Sequence, residues 1–292
     1  MRKPRVISGV VGLTILGIFL VVAISLVLLA TSATDRDLTV TFLNVGQGDA
    51  TLIETPSGTQ VLIDGGQPRS VNRPLSRHLP FYDRTLDVVI ATHADTDHIG
   101  GLVEVLADYR VGRVGLPSLP GQAAAFQAFQ QAVGDEQEYD KAITQKLTRG
   151  DVIHLDEGAY LLTLFPLAGH QPTDLNESST VFKLIYGNTS FILTGDSGKA
   201  IEEYLAALDG GLLDADVLKL GHHGSDTSSS RIFLSAVSPE IAVISAGADN
   251  SYGHPHQSVL NRLSALGIEA VCTCKEGDVG FVSDGIEVRR SQ

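Results

Sequence analysis

One short loop constrains this chain more than any other feature, because it holds four potential metal ligands within six residues. Residues 86–91 (LDVVIA) form a largely apolar run that predicts a buried strand. The chain continues as THADTDHIGG over 92–101, so His93, Asp95, Asp97 and His98 follow the carboxyl end of that strand. Burying two imidazoles with two carboxylates is costly unless a cation neutralises them. Loops at strand ends are where α/β folds carry their sites, and the segment therefore predicts a metal centre.

The charge of the chain limits how it can attract a substrate. It has 21 Lys and Arg against 34 Asp and Glu, for a net charge of −13. A body this acidic cannot hold a polyphosphate by counterion release alone. A nucleic-acid substrate would need either a bound metal or a local basic patch.

The two cysteines exclude a disulfide scaffold and a zinc finger built on four cysteines. Cys272 and Cys274 lie two residues apart in a predicted strand, where a bond between them would be strained. We therefore expect them to be unpaired strand residues.

The amino-terminal segment predicts a membrane anchor. Residues 6–30 carry no charge and follow the basic residues Arg2, Lys3 and Arg5. A spanning helix needs roughly 20 apolar residues, whereas the core of a signal peptide needs about 7–15. We expect residues 1–33 to form one uncleaved membrane helix, with cleavage near 32–33 as the alternative. The positive-inside rule then places residues 34–292 outside the cytoplasm.

The rest of the chain predicts an α/β fold. Alternating or apolar strand patterns dominate residues 38–63, strands then alternate with helical patterns, and a strand-rich pattern recurs after residue 160. This order indicates two mixed sheets packed together with helices outside, a four-layer αββα sandwich. We expect a single catalytic domain over residues 34–292.

The loop over 92–101 resembles the signature of the metallo-β-lactamase fold, with Asp95 where the usual pattern has a histidine. That variant is similar to the DNA-uptake competence (ComEC) branch of the superfamily. Further segments resemble the motifs of that branch in the same order: FLNVGQGDA (42–50), LIDGG (62–66), LTGD (193–196), VLKLGHHGS (217–225) and NSYGHP (250–255). The resemblance covers roughly residues 38–290, and the ordered set of motifs is highly specific.

The resemblance implies two metal ions at one site. Asp196 follows an apolar strand, where its carboxylate could bridge two metals roughly 3.5–4 Å apart, although a helix N-cap is the alternative interpretation. His222 and His223 follow another strand and would point to opposite sides, so we expect one to ligate. We favour His222 as the ligand, and His223 would then contact substrate, donate a proton or be a hydrogen-bonded structural residue. The predicted ligands are His93, Asp95, Asp97, His98, Asp196 and His222.

Other residues are expected around the ligands. In the family, the aspartate at the position of Asp64 orients ligands from outside the metal shell, although a plain turn Asp is a competing interpretation. Lys219 could hold a phosphate oxygen or could be a solubilising residue at a strand edge. His254 is a candidate general acid, with a turn histidine near the surface as the alternative interpretation. Asn176, with Ser179 close by, stands near the position where the usual pattern has another histidine. Asn is a weak ligand, which favours manganese or magnesium over zinc.

These features predict a metal-dependent hydrolase that uses Mn²⁺ or Zn²⁺, with Mg²⁺ as a further candidate. The resemblance points to an extracytoplasmic phosphodiesterase that acts on DNA through a metal-activated hydroxide, alongside the competence machinery. Asp97, His254, Lys219 and His223 are the expected catalytic residues. One alternative is hydrolysis of a small phosphoester, a phosphocholine, a lactone or a β-lactam. The other is a non-catalytic extracellular binding module.

Overall fold

Two β-sheets form the framework of the computed structural model, which describes residues 15–22, 24 and 37–291. The first sheet has the strand order β15-β14-β1-β2-β3-β4-β5-β6. Its strands are β1 (Leu38–Phe42), β2 (Thr51–Glu54), β3 (Gln60–Ile63), β4 (Thr85–Ile90), β5 (Arg110–Leu116), β6 (Ile143–Lys146), β14 (Val279–Ser283) and β15 (Val288–Arg290).

The second sheet has the strand order β13-β12-β11-β10-β9-β8-β7. Its strands are β7 (Val152–Asp156), β8 (Ala159–Phe165), β9 (Val181–Tyr186), β10 (Thr189–Leu193), β11 (Val217–Lys219), β12 (Ile241–Ile244) and β13 (Glu269–Cys272). Each sheet has an antiparallel half and a parallel half, the latter formed by β3–β6 in one sheet and β10–β13 in the other.

Helices cover the outer face of each sheet. The helices within residues 37–291 are α1 (Asn72–His78), α2 (Thr96–Ile99), α3 (Leu102–Asp108), α4 (Ala124–Tyr139), α5 (Lys199–Asp209), α6 (Arg231–Val237), α7 (Gln257–Leu266) and α8 (Thr273–Glu276). Single-turn 3₁₀ segments occur at Asn176–Ser178, Gly210–Leu213 and Gly221–Gly224.

The apolar side chains form three layers of core. The central layer lies between the sheets and includes Phe42, Phe182 and Phe281, which are fully buried. A second cluster packs α1, α3 and α4 on the first sheet, and a third packs α5, α6 and α7 on the second. Since a sheet with two apolar faces must be covered on both, this arrangement confirms the predicted four-layer αββα sandwich.

The parallel halves of the sheets determine where the polar residues gather. The loops that follow β3, β4, β10 and β11 begin at Asp64, Ala91, Thr194 and Leu220. Backbone hydrogen bonds extend the ladders past the strand ends, from Asp64 N to Ile90 O at 2.8 Å and from Leu220 N to Val243 O at 2.9 Å. The carboxyl ends of parallel strands share one edge of a sheet, so these loops meet.

The described residues do not bear out the membrane helix. Residues 15–22 are helical, but no helix in the described part of the chain has both the length and the apolar character needed to cross a bilayer. Most of the predicted anchor, residues 1–33, lies outside the described residues. The predicted single-pass location with an extracytoplasmic domain is wrong on this finding.

The two cysteines also differ from the expectation. Cys272 is the last residue of β13, and Cys274 lies in the short helix α8 that follows at once. The two side chains form a disulfide. The strand ends at Cys272, before it reaches Cys274, and the turn brings the two sulfurs together.

Candidate functional site

Three buried imidazoles surround the carboxylate of Asp196. The Nε2 atom of His98 lies 3.3 Å from Asp196 Oδ1, and that of His223 lies 3.4 Å from Oδ2. His93 Nε2 is 4.0 Å from the same Oδ2 atom. All four side chains are buried, with Asp196 3% exposed. The predicted convergence of residues from far-apart segments is therefore present in the geometry.

Two further carboxylates flank this cluster on opposite sides. Asp95 Oδ2 lies 3.4 Å from His93 Nε2, and Asp97 Oδ2 lies 3.4 Å from His223 Nε2. Both aspartates are partly exposed, with side chains 38% and 23% accessible. The site thus has two lobes that share Asp196.

Asp64 orients the histidines from behind. Its Oδ2 accepts a hydrogen bond from His98 Nδ1 at 2.8 Å and another from the Thr92 hydroxyl at 2.7 Å. The same hydroxyl lies 3.1 Å from His93 Nδ1, which can donate to it. Because both Nδ1 atoms are engaged, both rings turn Nε2 toward Asp196, as expected of an orienting carboxylate.

His222 and His223 lie in a 3₁₀ turn rather than on a strand end. Both residues have left-handed backbone angles, with φ of 50° and 55°. The turn directs both rings toward Asp196, instead of to opposite sides as strand alternation predicts. His223 is buried and its Nδ1 donates to Ser245 O at 3.0 Å, which leaves Nε2 facing the cluster. His222 is more exposed and contacts Thr227 through Nδ1, with Nε2 3.9 Å from Asp196.

Asp49 is a site residue that the sequence reasoning missed. Its carboxylate is buried, lies 3.2 Å from His223 Nδ1 and 3.7 Å from His98 Nδ1, and contacts Lys219 Nζ. These contacts are with the ring atoms that face away from Asp196. Asp49 therefore supports the two imidazoles from behind rather than sharing their metal-facing side. The one sequence feature that could have identified Asp49 was its position in the GQGD segment, shortly after a buried strand.

Lys219 does not have the predicted substrate contact. Its side chain is 3% exposed, and Nζ donates to Gly195 O at 3.1 Å and Leu220 O at 3.0 Å besides contacting Asp49. The ammonium is buried beneath the site because its partner, Asp49, is buried there too. The expected phosphate-binding role is corrected to a structural one.

Close backbone packing sets the position of the ligand loop. A Cβ atom on Gly101 would lie 2.0 Å from Gly65 O, and one on Gly48 would lie 2.3 Å from Asp97 O. Both contacts are shorter than any carbon and oxygen can tolerate. Glycine is thus required where the segments after β1 and β3 approach the 92–101 loop.

The buried carboxylates of the cluster stabilise positive charge on their neighbours, as the shifted pKa values show. Burial favours the neutral acid, but the imidazoles of His223 and His98 outweigh it and hold the pKa of Asp196 well below its usual value. Burial disfavours the imidazolium, yet the surrounding carboxylates raise the pKa of His98 well above its ordinary value and that of His223 to about 10. For Asp49, burial is likewise outweighed, chiefly by Lys219, and the pKa falls to about 2.

The residues present fit divalent metal ions. The Nε2 atoms of His93, His98 and His223 and Oδ1 of Asp196 are buried without a hydrogen-bond partner among the described residues. Buried polar atoms of this kind are costly unless something binds them. Imidazole nitrogens and carboxylate oxygens together suit Zn²⁺ or Mn²⁺. The nearby carboxylates favour protonated imidazoles on His98 and His223, and a bound metal would replace those protons.

A cavity of about 370 Å³ opens on the cluster. Asp95, Asp97, Asp196, His222 and His223 line its floor, and Gln47, Gln67, Tyr252 and His254 line its walls. The exposed Tyr252 ring stacks on His254, with the centroids 5.6 Å apart and the planes 20° from parallel.

His254 lies at the predicted place but in an unfavourable state for a general acid. Burial, together with the nearby imidazoles of His223 and His222, lowers the pKa of His254 to about 4. An imidazole that is neutral at pH 7 is a very weak acid, which disfavours the predicted general-acid role. The position of His254 beside Tyr252 instead suits contact with substrate.

Ser179 and Asn176 lie beside Asp196. The buried Ser179 hydroxyl accepts a hydrogen bond from Asp196 N at 3.1 Å. Asn176 is in a 3₁₀ turn, and its Oδ1 is buried without a partner among the described residues. A second cavity, of about 340 Å³, is lined by Asn176, Asp196 and His222 among others.

Comparison with known proteins agrees with this geometry. Competence proteins are among the relatives of the chain. It is 33% identical over 263 residues to ComE operon protein 3 of Bacillus subtilis, covering 83% of this chain and 32% of that protein. It is 30% identical over 249 residues to Competence protein ComA of Neisseria gonorrhoeae, covering 85% and 32%. The chain thus spans about a third of the length of these relatives.

Solved structures share the fold. CmlA, a diiron β-hydroxylase from Streptomyces venezuelae, matches with a TM-score of 0.54 and 16% identity over 81% of this chain and 53% of that one. Igni18, a metallo hydrolase from Ignicoccus hospitalis, matches with a TM-score of 0.51 and 16% identity over 83% and 98%. The model of the metallo-β-lactamase superfamily matches residues 43–248, and with the αββα layers and the Asp/His cluster in place, the chain belongs to that superfamily.

Proposed function

We propose that the domain is a two-metal phosphodiesterase that cleaves DNA. The observation that carries the proposal is the set of three unpartnered Nε2 atoms, on His93, His98 and His223, directed at one buried carboxylate. These residues would hold two divalent cations, which would supply the Lewis acidity that phosphodiester hydrolysis needs.

The two lobes of the cluster divide the ligands. His93 and Asp95 would hold one ion together with Asp196, and His222 lies near that lobe. Asp97, His98 and His223 would hold the other, again with Asp196. This assignment exchanges the roles expected from the sequence, since His223 becomes the principal ligand and His222 the neighbour.

We propose manganese as the natural metal, with zinc as the next candidate. Asp95, Asp97 and Asp196 supply oxygen ligands, and the turn at Asn176 supplies an amide where a further imidazole is usual. More oxygen and less nitrogen favours the harder ion. When bound, the ions supply Lewis acidity, which lowers the pKa of a bound water and offsets the charge of the phosphate.

The residues of the chain position this chemistry. Asp64 and Thr92 fix the ring orientations of His98 and His93, and the Ser179 hydroxyl holds the backbone of Asp196. His254 and Tyr252 form one wall of the cavity, where they would contact the substrate beside the scissile bond. Preorganised ligands of this kind need no rearrangement during the reaction.

The competence relatives support DNA as the substrate and DNA uptake as the setting. The net charge of −13 argues for a substrate that reaches the site through the metals rather than through a basic surface. The same acidity favours a second candidate, a hydrolase of small phosphoesters. The experiment also distinguishes these functions from hydrolysis of a β-lactam or lactone and from a non-catalytic binding role.

The test compares the purified chain with its Asp196→Asn variant. Each is loaded with Mn²⁺ or Zn²⁺, its metal content is measured, and plasmid DNA, single-stranded DNA, a small phosphodiester and nitrocefin are offered. We expect Mn²⁺-dependent DNA cleavage that falls by at least about 100-fold in the variant, with circular dichroism unchanged. The Asp135→Asn variant, on the exposed face of α4, is the control. Activity on nitrocefin alone, or an inactive chain that binds no metal, would overturn the proposal.

A further inference from the structure

A third cavity continues the groove that begins at the metal centre. The second cavity, which holds Asp196 and His222, shares Glu177, Ala200 and Ile201 with a third cavity of about 220 Å³. The groove therefore runs from Tyr252, across the metal ligands and along the start of α5, to a pocket between α5 and the segment after β8. A substrate that fills this groove must be extended, and only one part of it lies at the metals.

The third cavity differs in chemistry from the rest of the groove. Phe165, Leu167, Ile201 and Tyr204 give it largely apolar walls. His170 lies edge-on to Phe165 with the ring centroids 4.8 Å apart, and its Nε2 is buried without a partner within the described residues. The cavity thus offers apolar and aromatic walls, against which a flat heteroaromatic ring can pack.

The stretch between the cavity and the metals suits a phosphate. Lys199 lines the second cavity with a side chain 38% exposed, and its ammonium is 3.9 Å from the still more exposed Asp226. So loose an ion pair leaves the ammonium available to an anion. Glu177 and Asp174 also line this stretch, and the Thr173 backbone N–H and hydroxyl both donate to the Glu177 carboxylate.

We propose that the pocket formed by Phe165, His170 and Tyr204 is a nucleobase subsite, which makes single-stranded DNA the substrate of the groove. This inference rests on the proposed function and deepens it. One base enters the pocket, the phosphate next to it lies at Lys199, and a neighbouring phosphodiester lies at the metals. A base in a duplex is paired and stacked and cannot enter, so the subsite selects unpaired strands.

The experiment is a double-mutant cycle between protein and substrate. End-labelled single-stranded oligonucleotides, each with one abasic residue at a different position, are cleaved with Mn²⁺ by the wild type and by Tyr204→Ala. For the wild type, we expect cleavage at one fixed offset from the abasic residue to fall by about 5- to 100-fold, the usual effect of losing a base–aromatic stack. Tyr204→Ala should lower cleavage of the intact strand by a similar factor and remove the offset effect.

Two further variants separate stacking from folding. Tyr204→Phe keeps the ring and should restore cleavage, whereas Tyr139→Ala, which removes an exposed ring on α4, should match the wild type. Additive effects of the abasic residue and Tyr204→Ala, or duplex cleavage as fast as single-strand cleavage, would overturn the subsite and leave the phosphodiesterase standing. Failure of the wild type to cut any DNA would overturn both.

Discussion

The Nδ1 atom of His98 donates to Asp64 Oδ2 across 2.8 Å, and this bond decides which nitrogen of His98 faces Asp196. Asp64 is 1% exposed and also accepts from the backbone N–H and hydroxyl of Thr92. Asp64→Asn keeps the shape of the side chain but removes its charge. The hydrogen bond that orients the His98 ring becomes weaker, and the basicity of Nε2 falls. We expect metal affinity to fall by about 10- to 100-fold, measured by titration calorimetry with Mn²⁺.

The control for this prediction is again Asp135→Asn, which makes the same chemical change on an exposed helix face. It should bind metal as the wild type does. Unchanged metal affinity in Asp64→Asn would mean that Asp64 is only a turn residue, the competing interpretation of the LIDGG segment.

The two adjacent histidines should differ in importance. His223 is 2% exposed in its side chain and faces both Asp97 and Asp196, whereas His222 is 28% exposed and lies farther from Asp196. We expect His223→Ala to lose one of two bound metals and at least about 100-fold in activity. His222→Ala should keep both metals and lose about 10-fold or less. Mass spectrometry of the native protein counts the metals, and a reversed order would favour the ligand chosen from the sequence.

Lys219 and Asp49 should depend on each other. Lys219→Met leaves the buried carboxylate of Asp49 without its ammonium partner, and breaking a buried pair costs about 3–5 kcal/mol in unfolding free energy. The double variant with Asp49→Asn should cost clearly less than the sum of the single changes. Urea unfolding in chelator, which removes metal effects, gives the values.

An exposed ion pair provides the comparison. Arg110 and Asp140 lie 2.9 Å apart with the arginine 73% accessible, and Arg110→Met should cost less than about 1 kcal/mol. Strict additivity between Lys219 and Asp49 would show that the two side chains are near each other without being coupled.

The parts of the site that could be predicted are those that lie together in the sequence. His93, Asp95, Asp97 and His98 follow one apolar strand, so local pattern and burial cost alone pointed to a metal. The four layers could also be predicted, because strand and helix periodicities are local properties. Asp196 was different, because its local sequence fits a helix N-cap equally well and only the resemblance favoured a metal ligand.

The parts that could not be predicted depend on long-range packing. The local sequence indicates only that Asp49 is an acidic residue in a glycine-rich turn. Its contacts with the Nδ1 atoms of His98 and His223 arise from the tertiary fold. A lysine at a strand end, such as Lys219, is normally expected to be exposed, and its burial follows only from its contact with the buried Asp49. The roles of His222 and His223 depended on two left-handed backbone angles that strand alternation does not suggest.

Glu202 gives the protein a pH-dependent stability apart from the metals. It lies in the first turn of α5, is 1% exposed, and accepts hydrogen bonds from Ser229 N and Ser230 N at 2.7 Å each. Burial raises the pKa of Glu202 to about 7, and these bonds and Arg262 only partly oppose it. The folded protein therefore keeps a proton that the unfolded chain releases near its ordinary pKa of 4.5.

The sign of the pH effect follows from that proton. Below pH 4.5 both states are protonated, and above pH 7 both are ionised, so stability falls as pH rises between the two values. The fall attributable to Glu202 should be about 1–3 kcal/mol. In urea unfolding at pH 5–8 in chelator, where His98 and His223 also titrate, Glu202→Gln should show a smaller fall in stability than the wild type. Glu203→Gln, an exposed neighbour on the same helix, should show the full fall. An identical slope in both variants would show that Glu202 is not the titrating group, because burial penalises the charged form of Glu202 but not that of the exposed Glu203.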